Sequence, residues 1–280
     1  MAPNDFESFC EQNLHQLDVL CQRFADYEPL QGFSAAHFRA WLHQFQAQHR
    51  SLAVKLANAI AYYSTNQIAA LMRPLKHAVD EQIDSEGAAQ QSVFYVPFGR
   101  AGESGSAVLR HFRNVNRMHR REGQFLTLIE LPQKLFASEK PVVLFFDDFI
   151  GTGQQVSDGW RETISQVVPE YVPIYLVVIA AFKDGIRRVE SETPFHVICV
   201  HTLGSKDQLM ESACRKFSNQ EKTTLRRYCD HAGNHPLGFG DCGLLLSFAY
   251  GTPNNSISII RGSERQVPWR GLLPTWEDLE

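Results

Sequence analysis

The sequence predicts an α/β fold built on a mostly parallel sheet, with helical material before it and a cap after it. Three observations carry that expectation. Short continuous apolar runs (SVFYVPF, FLTLIEL, PVVLFFDDF, PIYLVVIAAF and FHVICVHTL), each read as a strand, recur between residues 91 and 204. Stretches with helical spacing separate them, as expected for strands covered on both faces by crossover helices, whereas half-exposed antiparallel strands alternate apolar with polar residues. The first 90 residues carry little strand signal.

The elements follow in order. In SLAVKLANAIAYYSTNQIAALMRPL, Leu52, Leu56, Ala59, Ile60 and Tyr63 share one helical face, and Ser64 or Thr65 can cap a second helix beginning near Asn66. The polar, acidic DEQIDSEGAAQQS places a linker or boundary between Asp84 and Ser92. SVFYVPF is then the first clear strand, with a helix at about Ser106 to Asn114. FLTLIEL is a further apolar run, and PVVLFFDDF leads to a helix at about Gln155 to Val168. PIYLVVIAAF and FHVICVHTL complete the sheet. A charged stretch from Ser205 to Asn234 returns to helical spacing, and the remaining tail, rich in glycine and with two Trp, reads as a cap packed on the core. The expected division is 1–90, 91–204 and 205–280.

A chain of 280 residues with 44% hydrophobic content can bury a sizeable core. Its net charge of −4 gives no global basic field that would draw it to nucleic acid or anionic lipid. Six cysteines show no CxxC spacing, and His231 and His235 flank Cys229 and Cys242 at irregular intervals, which sets a zinc site aside. No apolar run is long enough to cross a bilayer, and the first residues lack the pattern of a secretory signal. A cytoplasmic location with reduced thiols and no membrane partner is the expectation.

The chemistry concentrates in VVLFFDDFIGTGQQV. Asp147 and Asp148 stand where a buried strand runs out, and ligands of parallel sheets bind beyond the carboxyl ends of the strands. Gly151 and Gly153 permit backbone conformations closed to other residues, and a helix follows. Amides at that helix N-terminus form an anion site suited to a phosphate, to which Thr152 adds a hydroxyl donor. The two carboxylates would repel the phosphate; they suit sugar hydroxyls or, through water, a divalent cation. Together these residues describe a receptor for a phosphorylated sugar.

VVLFFDDFIGTG resembles the binding motif of the type I phosphoribosyltransferases: a hydrophobic strand, an acidic pair, two further residues and a small Thr-Gly loop. The resemblance implies a sheet of that family's kind. It implies that Asp147 and Asp148 face the ribose 2- and 3-hydroxyls as the catalytic pair, that Gly151, Thr152, Gly153, Gln154 and Gln155 wrap the 5-phosphate, and that Mg2+ is a cofactor. SVFYVPFGRAGESGSAVLRHF then corresponds to the family's pyrophosphate loop, with Gly99, Arg100, Ala101, Gly102 and Glu103 as its members. Glu103 is an unexpected charge there. Two further departures are Gly151, where some purine-specific members carry an Asp, and Gln155, where a Thr or Ser usually closes the loop.

The phrases WLHQFQAQHRSLAVKLANAIAYYSTNQI and GFGDCGLLLSFAYGTPNNSISIIRG resemble bacterial phosphoribosyltransferase-like proteins of conflict and antiphage loci, including retron-associated effectors. That resemblance implies a winged-helix-like front and a toxin-type effector acting on nucleotide metabolism. Its regulatory partner would be a protein or nucleic acid, in a retron the reverse transcriptase and its RNA/DNA. It also marks Asn254, Asn255 and Trp269, with Lys183 at a strand end, as candidates for a base pocket, set against turn formation and core packing. Asp184 and His201 end strands nearby. The basic RNVNRMHRR (Arg113 to Arg121) reads first as a solvated loop, with a lid or a nucleic-acid contact as alternatives. Phosphoribosyl pyrophosphate or a ribonucleotide is the implied ligand, either turned over by breaking the bond at C1 or sensed without turnover.

Overall fold

A computed structural model describes residues 5–100, 103–262 and 269–276. Along the chain run α1 (Asp5–Gln12), α2 (Leu14–Arg23), α3 (Ala35–His43), α4 (Arg50–Ala59), β1 (Ala61–Tyr63), α5 (Thr65–Glu86), β2 (Val93–Pro97) and α6 (Ser104–Val115). There follow α7 (Leu131–Phe136), β3 (Val142–Ile150), α8 (Gln154–Glu162), β4 (Ile174–Phe182), α9 (Lys183–Glu192), β5 (Phe195–Leu203), α10 (Asn219–Ala232), β6 (Leu246–Phe248) and α11 (Ser258–Arg261). Two compact units result. One spans 66–204, and the other joins 1–65 to 205–280.

The first unit holds a four-stranded, all-parallel sheet in the order β2-β3-β4-β5. Both faces of β2, β3 and β4 are covered, as their continuous apolar runs require, while the edge strand β5 is partly exposed. On one side Phe94, Val96, Phe145, Leu176 and Val178 pack with Leu131 and Leu135 of α7, Val156 of α8 and Val189 of α9. On the other, Phe112 of α6 lies against Phe146 with ring centroids 4.7 Å apart. The α5 helix is tied in by Asn116 Nδ2 donating to the Met72 carbonyl at 3.1 Å, and by the Tyr175 hydroxyl donating to Glu86.

Three expectations for this unit need correction. The boundary falls near Thr65 and not between Asp84 and Ser92. Buried Ile68, Met72, Leu75, Val79 and Ile83 recur at helical spacing and carry α5 straight through the acidic stretch, whose charges sit on its exposed side. FLTLIEL is not a strand. Phe125 forms one bridge to Tyr95, after which the Glu130 carboxylate accepts from the Thr127 amide at 2.8 Å and hydroxyl at 2.7 Å. That turn, with Pro132 early in α7, diverts the run into a helix. The helix expected at Gln155 to Val168 is α8 followed by a separate 3-10 turn, Ile164–Gln166.

In the second unit the front and the tail share one core. Buried Trp41 donates its Nε1 hydrogen to the Ile259 carbonyl at 2.9 Å, and the buried Tyr27 hydroxyl donates to the Pro274 carbonyl at 2.7 Å. Strand β1 pairs in parallel with β6 of the tail. Among the described residues β1 is the one strand before residue 90, so the hairpin wing of a winged-helix module is not formed there. The charged stretch from Ser205 becomes regular α-helix only at Asn219, where Ser218 and Glu221 form a reciprocal capping box. No helix among the described residues is long and apolar enough to cross a membrane.

Candidate functional site

Strand β3 lies between β2 and β4, and its register sets Asp147 beside Val178 near the strand's carboxyl end. Asp147 is 6% exposed and Asp148 half-buried. One oxygen of Asp147 accepts both the Ser104 hydroxyl at 2.6 Å and the Asp148 amide at 2.9 Å. The helix carrying Ser104 starts hard against the strand ends: a Cβ on Gly105 would fall 2.3 Å from the Phe98 carbonyl oxygen and 2.5 Å from that of Phe146. Burial raises the Asp147 carboxyl well above the usual carboxylate range, and the adjacent Asp148 charge adds to the rise. Burial raises Asp148 too, against hydrogen bonds that oppose it. What steadies the pair is a hydroxyl and amides, and its carboxyl oxygens can also accept from a ligand's hydroxyls or meet a cation.

Beyond the pair the chain turns through Gly151, Thr152 and Gly153 into α8. Gly153 has φ +78°, and a Cβ there would lie 2.7 Å from the Gly185 carbonyl oxygen. Gly185 returns the constraint: its own Cβ would lie 2.0 Å from the Gly151 carbonyl oxygen. Backbone thus meets backbone, and the first turn of α9 supports the loop that opens α8. Thr152 Oγ1 accepts from the Gln154 amide at 3.4 Å, and Gln154 Nε2 donates to Asp158 at 2.6 Å. Gln155 lines a neighbouring cavity. Sequence reasoning missed Ser104 and Gly185. The second was visible as a glycine in the first turn after a strand, but its Asp-Gly context also fits an ordinary turn.

The loop after β2 contributes the cavity's other side. Gly99 has φ +86°, and the Glu103 carboxylate accepts from the Arg100 amide at 2.8 Å. Ala101 and Gly102 lie outside the described residues. Between this loop and α8 the cavity measures about 550 Å3.

The candidates for a base pocket fall in different units. Lys183 is exposed at the start of α9, beside Asp184, which pairs with Arg187; His201 is exposed on β5. Asn254, Asn255 and Trp269 belong to the other unit. Buried Asn255 donates to the Phe239 carbonyl at 2.9 Å, and buried Trp269 packs its ring 5.3 Å from Phe45 and 6.0 Å from Tyr228. Asn254 is exposed at a smaller cavity of about 240 Å3, with His235, Phe239 and Arg261. In the basic cluster, Arg113 lies 5.0 Å from the centre of the Phe125 ring, a cation–π contact within the unit.

No group of three or more His, Cys, Asp or Glu that could hold a metal is present among the described residues. An all-protein metal cage therefore does not fit. A hard dication that keeps its waters and takes oxygens from its ligand needs only one or two carboxylates, and Asp147 with Asp148 meets that demand.

A family model described as PRTase-CE matches residues 38–275. The chain belongs to the PRTase-CE family. That makes it a phosphoribosyltransferase-like protein, in agreement with the strand, acidic pair and glycine loop just described. The PRTase-CE match covers the acidic pair, both glycine loops and most of the unit formed by front and tail. A search of curated proteins finds no match.

Proposed function

We propose that this PRTase-CE protein binds a ligand carrying ribose 5-phosphate and breaks its bond at C1, the leaving group departing with the bonding pair while an acceptor nucleophile or water forms the new bond to C1. The observation that carries the reading is the close approach of Gly151, Gly153 and Gly185, which fixes a loop at a helix N-terminus directly beyond one buried carboxylate and one half-buried one. The loop amides and Thr152 suit the 5-phosphate. Asp147 and Asp148 suit the ribose hydroxyls, and their charge would stabilise the positive ribose that develops as the C1 bond lengthens. Magnesium, held mostly by ligand oxygens and water with the acidic pair as the protein's share, would neutralise charge on the ligand. An effector acting on nucleotide pools in an antiphage setting, restrained by a protein or nucleic-acid partner, belongs to the same proposal. A sensor that binds without turnover is the alternative, supported by Gly151, which offers no acid where some purine-specific transferases have one.

Calorimetric titration of ribose 5-phosphate and phosphoribosyl pyrophosphate with magnesium, together with assays for released pyrophosphate or base, tests this. Wild type should bind, and Asp147→Asn with Asp148→Asn should lose at least about tenfold in affinity, the equivalent of one charged hydrogen bond. Equal affinity in wild type and the double variant would remove the carboxylates from the site. Binding without any product would leave the sensor.

A further inference from the structure

The cavity between the loop after β2 and α8 has a chemistry of its own. Pro97 and Leu128 provide part-exposed apolar surface over the buried Phe98 and Phe145, while Glu103, Asp158 and Glu162 bring three carboxylates against the single cation Arg100 among its lining residues. Its volume of about 550 Å3 lies within the roughly 300–1,000 Å3 typical of small-molecule sites. Glu103 also engages one of the loop's own donors. Its Oε2 accepts from the Arg100 amide, and a Cβ at Gly99 would come within 2.3 Å of that same oxygen. The room that glycine leaves is therefore taken by a carboxylate of the chain itself. A pyrophosphate, multiply charged and in need of free amides, meets repulsion and a filled donor here. Asp158 is engaged, through Gln154 at 2.6 Å and Arg161 at 3.1 Å. The second oxygen of Glu103 and the carboxylate of Glu162 remain as acceptors.

Resting on the proposed ribose 5-phosphate site, we infer that this cavity takes an amine-bearing nucleobase, so that the ligand is a nucleoside 5-monophosphate of adenine, guanine or cytosine type and not a pyrophosphate. The ring would lie against Pro97 and Leu128, and its exocyclic amine would donate to Glu162 or Glu103. Carboxylates accept hydrogen bonds and cannot donate them, so a base with a carbonyl at that position loses the contact and meets repulsion as well.

Matched pairs test the inference. Adenosine and inosine 5-monophosphates differ mainly in an amine against a carbonyl, as do cytidine and uridine 5-monophosphates, and each is titrated by calorimetry beside ribose 5-phosphate and magnesium phosphoribosyl pyrophosphate. The amine-bearing member of each pair should bind at least about tenfold more tightly, as one hydrogen bond to a charged group implies. Glu162→Gln should shrink that preference severalfold, and Glu103→Gln should raise affinity for phosphoribosyl pyrophosphate about tenfold. Melting curves confirm that both variants fold. Ribose 5-phosphate binding without an amine preference, or wild type favouring phosphoribosyl pyrophosphate over every nucleotide, would overturn the inference alone. Failure of ribose 5-phosphate and all nucleotides to bind would overturn the site reading and the inference with it.

Discussion

Two adjacent polar pairs stand out in this chain, Asp147-Asp148 in one unit and Asn254-Asn255 in the other, and burial treats them differently. Asn255 is enclosed but satisfied, because its amide reaches the Phe239 carbonyl and the Cys242 sulfur. Asp147 is enclosed with a charge that a hydroxyl and an amide only partly offset, and its proton affinity rises accordingly. Burial of a polar group with its partners supplied is ordinary construction. Burial of like charges side by side works against stability, and such clusters mark functional sites. The comparison therefore supports the ligand role we propose for the carboxylates and gives Asn255 an architectural one.

The sharpest break in that comparison comes from the loop beside the carboxylates. Gly185→Ala places a methyl 2.0 Å from the Gly151 carbonyl oxygen, so α9 or the loop must shift. We expect a loss of about 3 kcal/mol, at the upper end of overpacking costs, and a parallel loss of affinity for ribose 5-phosphate. Gly251→Ala, where no atom lies within 4 Å of the added carbon, is the control and should change stability by less than about 0.5 kcal/mol. Denaturant unfolding and calorimetry of the two variants give both numbers. If Gly185→Ala behaves like the control, the loop is not held by backbone contact.

A smaller effect separates the asparagines. Asn255→Ala leaves the Phe239 carbonyl without its side-chain donor and should cost about 2 kcal/mol. Exposed Asn254→Ala should stay within about 0.5 kcal/mol, since its backbone carbonyl still accepts from the Phe239 amide at 2.7 Å. Thermal melts of the pair decide it. Equal losses would mean that Asn254 also carries structure.

Much of the sheet was legible because a covered parallel strand needs an unbroken apolar run, which β2, β3 and β4 have, while the partly exposed edge strand β5 keeps enough apolar residues to read as a strand. The acidic pair and the glycine loop were legible for a local reason: strand end, turn and helix start lie within fifteen residues, so the sequence itself juxtaposes them. FLTLIEL failed because a single side chain, Glu130, closes a turn that apolar periodicity does not register. The boundary at Thr65 was hidden because α5 carries its acidic residues on one side and its apolar ones on the other, which at the level of composition looks like a linker. The shared core of front and tail depends on contacts more than two hundred residues apart, such as Trp41 to Ile259. No local pattern reports those. Ser104 and Gly185 lie between the two cases, near the site in space but tied to it from other elements.

The smallest effect reads the carboxylate directly. An aspartate whose proton affinity is raised by folding binds more protons folded than unfolded, between the ordinary carboxylate range and its raised value. Over that window wild-type stability falls as pH rises; below it the acid is protonated in both states and nothing is lost. In the Asp147→Asn variant the amide would not titrate, yet its side-chain oxygen could still accept from Ser104 and from the Asp148 amide. The variant should therefore melt close to wild type at the acid end of the window. It should gain on wild type as pH rises, reaching of order 1 kcal/mol at neutral pH, in the range seen when a functional residue is traded for stability. Ribose 5-phosphate affinity should fall in the same variant. Melting curves from acid to neutral pH check the first half and calorimetry the second. A variant less stable at every pH would make Asp147 a structural acceptor for Ser104, and would place it with Asn255 on the other side of the comparison.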